Sequence, residues 1–127
     1  MSTASNSNVA WVKTVSPQDL GPLAGLQGKW GRYLKPSTDS RGMIFGLGQL
    51  EKGEVAGWHD HPEPELFFVL EGRGEARWNE GGQEHRADLL PGVAFYKNGG
   101  IPHQMVNLGD TPLRGVFFKV AALIDER

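Results

Sequence analysis

Apolar residues along this chain come in short runs, alternate with polar ones every second position, and are punctuated by turn formers before any run reaches helical length. The 18 glycines and 8 prolines are scattered between these runs, and no amphipathic helical period is sustained. Such punctuation predicts many short strands, hence an all-β fold. Strands are expected at 11–15, 29–34, 43–50, 54–58, 66–70, 74–78, 83–87, 93–96, 103–107 and 113–120, with Gly- and Asn-rich turns at 71–74, 79–82 and 97–102. Ser16 followed by Pro17 suits the cap and first position of a short helical turn over 16–20, and 121–127 is expected as a short helical tail. Residues 1–10 are small and polar and read as a flexible tail ahead of one domain spanning 11–127.

Two runs depart from alternation. Residues 66–70 are apolar at every position, and Val116, Phe117 and Phe118 form an unbroken triplet. A strand of this kind is expected to be covered on both faces, by the barrel interior on one side and by a second sheet or a partner on the other. Trp11, Trp30 and Tyr33 in the N-terminal strands look exposed and available to another subunit, so a homodimer is expected.

At 127 residues the chain has room for one core and no second barrel. With 13 basic against 15 acidic residues it has no positive field for a phosphate backbone, so nucleic acid is not an expected partner. Cysteine is absent, which removes disulfides and thiolate ligands; any metal must be held by histidine and carboxylate. No signal peptide and no membrane-spanning apolar run are present, and the expected location is cytoplasmic. There is no nucleophile elbow and no phosphate-binding glycine loop.

Candidate chemistry gathers on three of the four histidines. His59 and His61 are two apart, so on a strand both rings share a face, and Glu65 keeps that parity. Asp60 has the opposite parity, and Glu63 lies between Pro62 and Pro64 in a loop; Glu71 is the remaining nearby carboxylate. His103, on a distant strand, supplies a third imidazole, while His85 sits in a charged strand and reads as solvent-facing. Three nitrogens and one oxygen suit Fe, Mn, Ni, Zn or Co and leave room for a small-molecule substrate. Alternation places Phe67 and Val69 beyond Glu65, and Met105 and Asn107 beyond His103, as candidate pocket walls. Asn107 serves either the pocket or the bracing of its strand, and Tyr96 is the candidate catalytic base.

The first segment reads Gly53, five residues, His59, one, His61, three, Glu65, six, Gly72; the second reads Gly92, five residues, Asn98, one, Gly100, two, His103, three, Asn107. Together they resemble the two motifs of the cupin superfamily, with Asn98 where proline is usual. The resemblance spans about Gly53 to Asn107 and implies a double-stranded β-helix, or jelly roll, of the single-domain type, with His59, His61, Glu65 and His103 as ligands of one divalent transition metal. It implies a metal-dependent enzyme acting on a small oxygenated metabolite. A dioxygenase is the first expectation, because an apolar surround suits a redox centre, whereas a sugar isomerase would show more pocket Lys and Arg. A non-redox lyase or isomerase is the alternative, followed by a non-catalytic small-molecule binding protein.

Overall fold

Alternating burial along each segment is what turns these sequences into a two-layer structure. The computed structural model describes residues 21–23, 26–34 and 42–121. They form nine strands: β1 Gly21–Leu23, β2 Leu26–Leu34, β3 Met43–Leu50, β4 Glu65–Glu71, β5 Gly74–Glu80, β6 Gln83–Leu89, β7 Ala94–Lys97, β8 His103–Asn107 and β9 Leu113–Val120. One sheet runs β1-β2-β3-β9-β4-β7 and the other β6-β5-β8, with every strand pair antiparallel. The strand expected at 11–15, the helical turn at 16–20, the tail over 1–10 and residues 122–127 lie outside the described residues. Among the described residues no helix is long and apolar enough to cross a membrane.

The core lies between the two sheets. Ile44, Leu50, Phe67, Val69, Phe95, Leu113 and Phe117 project from the larger sheet onto Ala76, Leu89 and Met105 of the smaller one. Glycines let the aromatic rings lie flat on the strands. Gly115 sits beneath the Phe67 ring, Gly46 beneath Phe117 and Gly48 beneath Trp30, and a Cβ at any of the three would overlap the ring above it. Trp30 therefore packs on the core, its Nε1–H donating to the Gln27 carbonyl at 2.9 Å; it is not the exposed edge residue that the sequence suggested.

One expected strand needs correction. Residues 54–58 do not form a regular strand: Gly53 and Gly57 take φ of 82° and 89°, and the segment follows β8 through isolated bridges, Val55 to Val106 and His59 to His103. Left-handed geometry breaks a ladder, yet the backbone bonds survive at 2.8 Å from Ala56 N–H to Met105 O and 3.0 Å from His59 N–H to His103 O. In the run 66–70 Phe67 and Val69 are buried on the barrel side, whereas Leu66, Phe68 and Leu70 are 37%, 38% and 48% exposed, so of the two covers expected for the outer face the second sheet does not supply one.

Candidate metal centre

Antiparallel pairing draws the two histidine segments to one end of the barrel. The bridge between His59 and His103 carries two backbone bonds, His59 N–H to His103 O and His103 N–H to His59 O at 2.9 Å, which places their rings 4.3 Å apart. His61 stands on irregular chain. Its carbonyl accepts from Gly100 N–H at 2.8 Å, and Gly99 lies so close to the Pro62 carbonyl that any Cβ there would collide with it. The β7–β8 turn thus clamps the His61 loop, bringing that ring to 5.1 Å from His103 and 6.1 Å from His59.

One ring nitrogen from each of His59, His61 and His103 lies within 4.8 Å of the others. The opposite nitrogens are all engaged by main chain. His59 Nδ1 meets the Gly57 carbonyl at 2.8 Å, His61 Nδ1 that of Glu63 at 2.9 Å, and His103 Nδ1 that of Ile101 at 2.8 Å. A carbonyl only accepts, so each Nδ1 carries the proton and each Nε2 is turned toward the shared space. His103 Nε2 is buried without a hydrogen-bond partner, since Glu65 Oε1 at 3.6 Å is too distant to serve as one. A buried lone pair with nothing to accept is costly and would be satisfied by a cation. The residues present therefore fit a divalent ion.

Glu65 adjoins two of the three rings, those of His61 and His103, and is not part of the group that converges within 4.8 Å. Its Oε1 is 3.1 Å from His61 Nε2, an approach in which a shared cation, proton or metal, sits between them. Strand register explains the rest of its surroundings, because Glu65 pairs with Lys97 on β7 and with Lys119 on β9. Lys97 Nζ reaches Oε1 at 2.8 Å and Lys119 Nζ lies 3.9 Å from Oε2. Burial alone would raise the Glu65 carboxyl, but the His103 and His61 rings and the two ammonium groups hold it well below the usual carboxylate range. Burial lowers His59, His103 and Lys97, opposed in each case by Glu65, so the charged form is disfavoured for both rings.

The other predicted site residues separate into two groups. Phe67, Val69 and Met105 face inward as expected but belong to the packed core. Asn107 is a brace: its Nδ2 donates to the Leu50 and Thr111 carbonyls at 3.0 and 2.9 Å, and its Oδ1 accepts from Gly109 N–H at 2.8 Å. With every polar atom engaged it has nothing left for a substrate. Tyr96 lies on the outer face, 59% exposed, its hydroxyl donating to Asn98 Oδ1 at 2.7 Å; the alternation of β7 turns Lys97 inward in its place. Glu63 meets His61 only on the Nδ1 side, at 3.4 Å. His85 is stacked on Trp78 at 5.6 Å, half-covered and apart from the three-ring group.

Lys97 and Lys119 are the residues that sequence reading missed. Their signal was parity: each continues the inward alternation of an aromatic two positions earlier, Phe95 and Phe117, and each ammonium lies over that ring, at 4.5 and 5.5 Å.

A family profile described as "Cupin domain" matches residues 46–119, which include all four candidate ligands. No curated protein matches the chain. Among solved structures it is similar to a Cupin 2 conserved barrel domain protein from Salinispora arenicola, at 22% identity and a TM-score of 0.70, covering 92% of this chain and 94% of that one. It is also similar to a protein with a double-stranded β-helix domain from Klebsiella pneumoniae, at 18% identity, TM-score 0.69 and coverage of 87% and 90%. A predicted oxalate decarboxylase from Thermotoga maritima aligns at 19% identity and TM-score 0.68, over 86% of this chain and 99% of that one. At these identities the likeness is one of fold.

Proposed function

The chain belongs to the cupin family, and from that footing we propose that it is a metal-dependent enzyme acting on a small oxygenated metabolite. The observation that carries this reading is the convergence of His59, His61 and His103 on one space, each ring oriented by a backbone carbonyl. These three rings and Glu65 would hold the ion. Bound there, a divalent metal supplies Lewis acidity toward a substrate oxygen, or a redox centre if it is iron.

The protein's own residues do the rest. The buried aromatic and aliphatic side chains behind the rings, Phe67, Phe95 and Met105 among them, limit the water that reaches the centre. Lys97 fixes the Glu65 carboxylate on one oxygen and, after the His103 and His61 rings and together with Lys119, helps keep it ionised. The dioxygenase expectation rests on an apolar surround and on fewer pocket lysines and arginines than a sugar isomerase would show. Lys97 and Lys119 at Glu65 weaken the second ground and support the non-redox reading, a lyase or isomerase, in which an ammonium group beside the reacting centre can stabilise or protonate developing negative charge. Oxygen uptake and anaerobic turnover separate the two. Iron-loaded protein that consumes oxygen with a diketone, flavonol or thiol supports the dioxygenase; turnover without oxygen on Mn, Ni or Zn supports the lyase or isomerase.

The homodimer expected from the sequence belongs to this reading too, supported by the apolar stripe of Leu66, Phe68 and Leu70 on the outer sheet face. A monomer mass by light scattering at micromolar concentration would remove it.

A further inference from the structure

Fixed charge around Glu65 does not balance. Lys97 and Lys119 have side chains only 4% and 14% exposed, and both turn to the one carboxylate of Glu65, itself 10% exposed. Among the described residues neither lysine has a second acidic partner. The pairing is also unequal. Lys97 is in hydrogen-bond contact with Oε1 at 2.8 Å, whereas Lys119 stands 3.9 Å from Oε2, beyond hydrogen-bond reach. Glu65 and Lys97 therefore neutralise each other, and the Lys119 ammonium is the surplus. A largely buried charge is retained when something pairs with it.

Chain placement says where that partner would lie. Lys119 and Glu65 face each other across the β4–β9 ladder, and Glu65 Oε1 is 3.1 Å and 3.6 Å from the Nε2 atoms of His61 and His103. The surplus ammonium thus stands one carboxylate away from the ring nitrogens that would hold the ion. Any divalent metal there adds positive charge and no counter-ion.

We infer that Lys119 is the anchor for an anionic group on the substrate, so that the centre takes a small carboxylate and discriminates against its uncharged analogue. This rests on the metal-centre reading above and deepens it. Lys119 acts here as a specificity-determining residue, and Lys97 as the group that keeps Glu65 from cancelling it.

The test compares malonate with its neutral diamide, malonamide, by titration calorimetry at low salt on zinc-loaded protein, with metal content measured on every sample. Wild-type protein is expected to bind malonate at least about tenfold more tightly than malonamide, with the preference shrinking as salt is added. Lys119→Met is expected to narrow that preference, read as the ratio of the two affinities at equal zinc content, and Lys119→Arg to keep it. Equal affinity for the two ligands in the wild type overturns the inference without any variant, which covers the case of a Lys119→Met protein that fails to fold. So does a Lys119→Met protein that weakens both ligands alike. The same pair is titrated on chelator-treated protein, where a weaker preference for malonate is expected to persist. Wild-type protein that takes up no zinc would defeat the metal-centre reading by itself; loss of the malonate preference in protein that does hold zinc defeats only the role of Lys119.

Discussion

His103 Nε2 concentrates the case for a bound cation in one atom: it is buried, directed inward and left without a partner. Replacing that ring removes a donor whose position is set by the bridge to His59 and by the Ile101 carbonyl. His103→Ala, like His59→Ala and His61→Ala, is expected to lower metal content to below a tenth of wild type while circular dichroism still reports a folded barrel, since the packed core is built from other residues. Full metal occupancy in His103→Ala, by elemental analysis, would contradict the assignment. Lys97 behaves differently, because it is a buried charge paired with another. Lys97→Met leaves Glu65 buried with one close ammonium fewer, and the cost is expected to be roughly 3 kcal/mol, read as a lower urea midpoint. A midpoint unchanged from wild type would show that the pair contributes nothing net.

Strands and turns decide where these atoms stand. The loop carrying His61 has no ladder of its own and is held by the β7–β8 turn, where Gly99 meets the Pro62 carbonyl. Gly99→Ala forces that carbonyl away and should weaken metal affinity by about tenfold, as changes to groups that orient a ligand commonly do, with little loss of cooperativity in unfolding. Metal titration with a competing chelator measures it; unaltered affinity would mean that the turn does not position His61. At this scale the sequence was informative about existence and poorer about pairing. Strands 43–50, 103–107 and 113–120 are found at the predicted bounds, because each is a short run rich in apolar residues closed by Gly, Pro or a charged turn. The convergence of His59 and His61 was anticipated by strand parity, although an irregular segment with two left-handed glycines delivers it. Tyr96 and Lys97 are neighbours of opposite parity: alternation from Phe95 turns Lys97 inward, and the register of β7 on β4, a pairing about thirty residues distant, sets it opposite Glu65.

For the molecule as a whole the buried titratable groups act in one direction. His59 and His103 titrate below the ordinary histidine value of 6.5, so between their lowered values and 6.5 the unfolded chain binds more protons than the folded one. Stability therefore rises with pH through that window and is lost on acidification. Glu65, held below the usual carboxylate range, has the same sign: its contribution is present above the unfolded value and disappears as pH falls toward its own. Chelator-treated protein is expected to lose thermal midpoint steadily from about pH 6.5 down to about pH 4.5. A profile flat over that range would show that neither ring is shielded as described.

The three imidazoles owe their orientation to peptide oxygens of Gly57, Glu63 and Ile101 instead of to neighbouring side chains. Main-chain atoms are common to every amino acid, so the outer sphere of this centre cannot be deleted by point mutation, only displaced by bending the chain. Divergence in such a protein has a narrow route. The orientation of the three rings is inherited with the backbone, and variation must enter through the few side chains around Glu65, where a single codon change alters the charge an incoming molecule would meet.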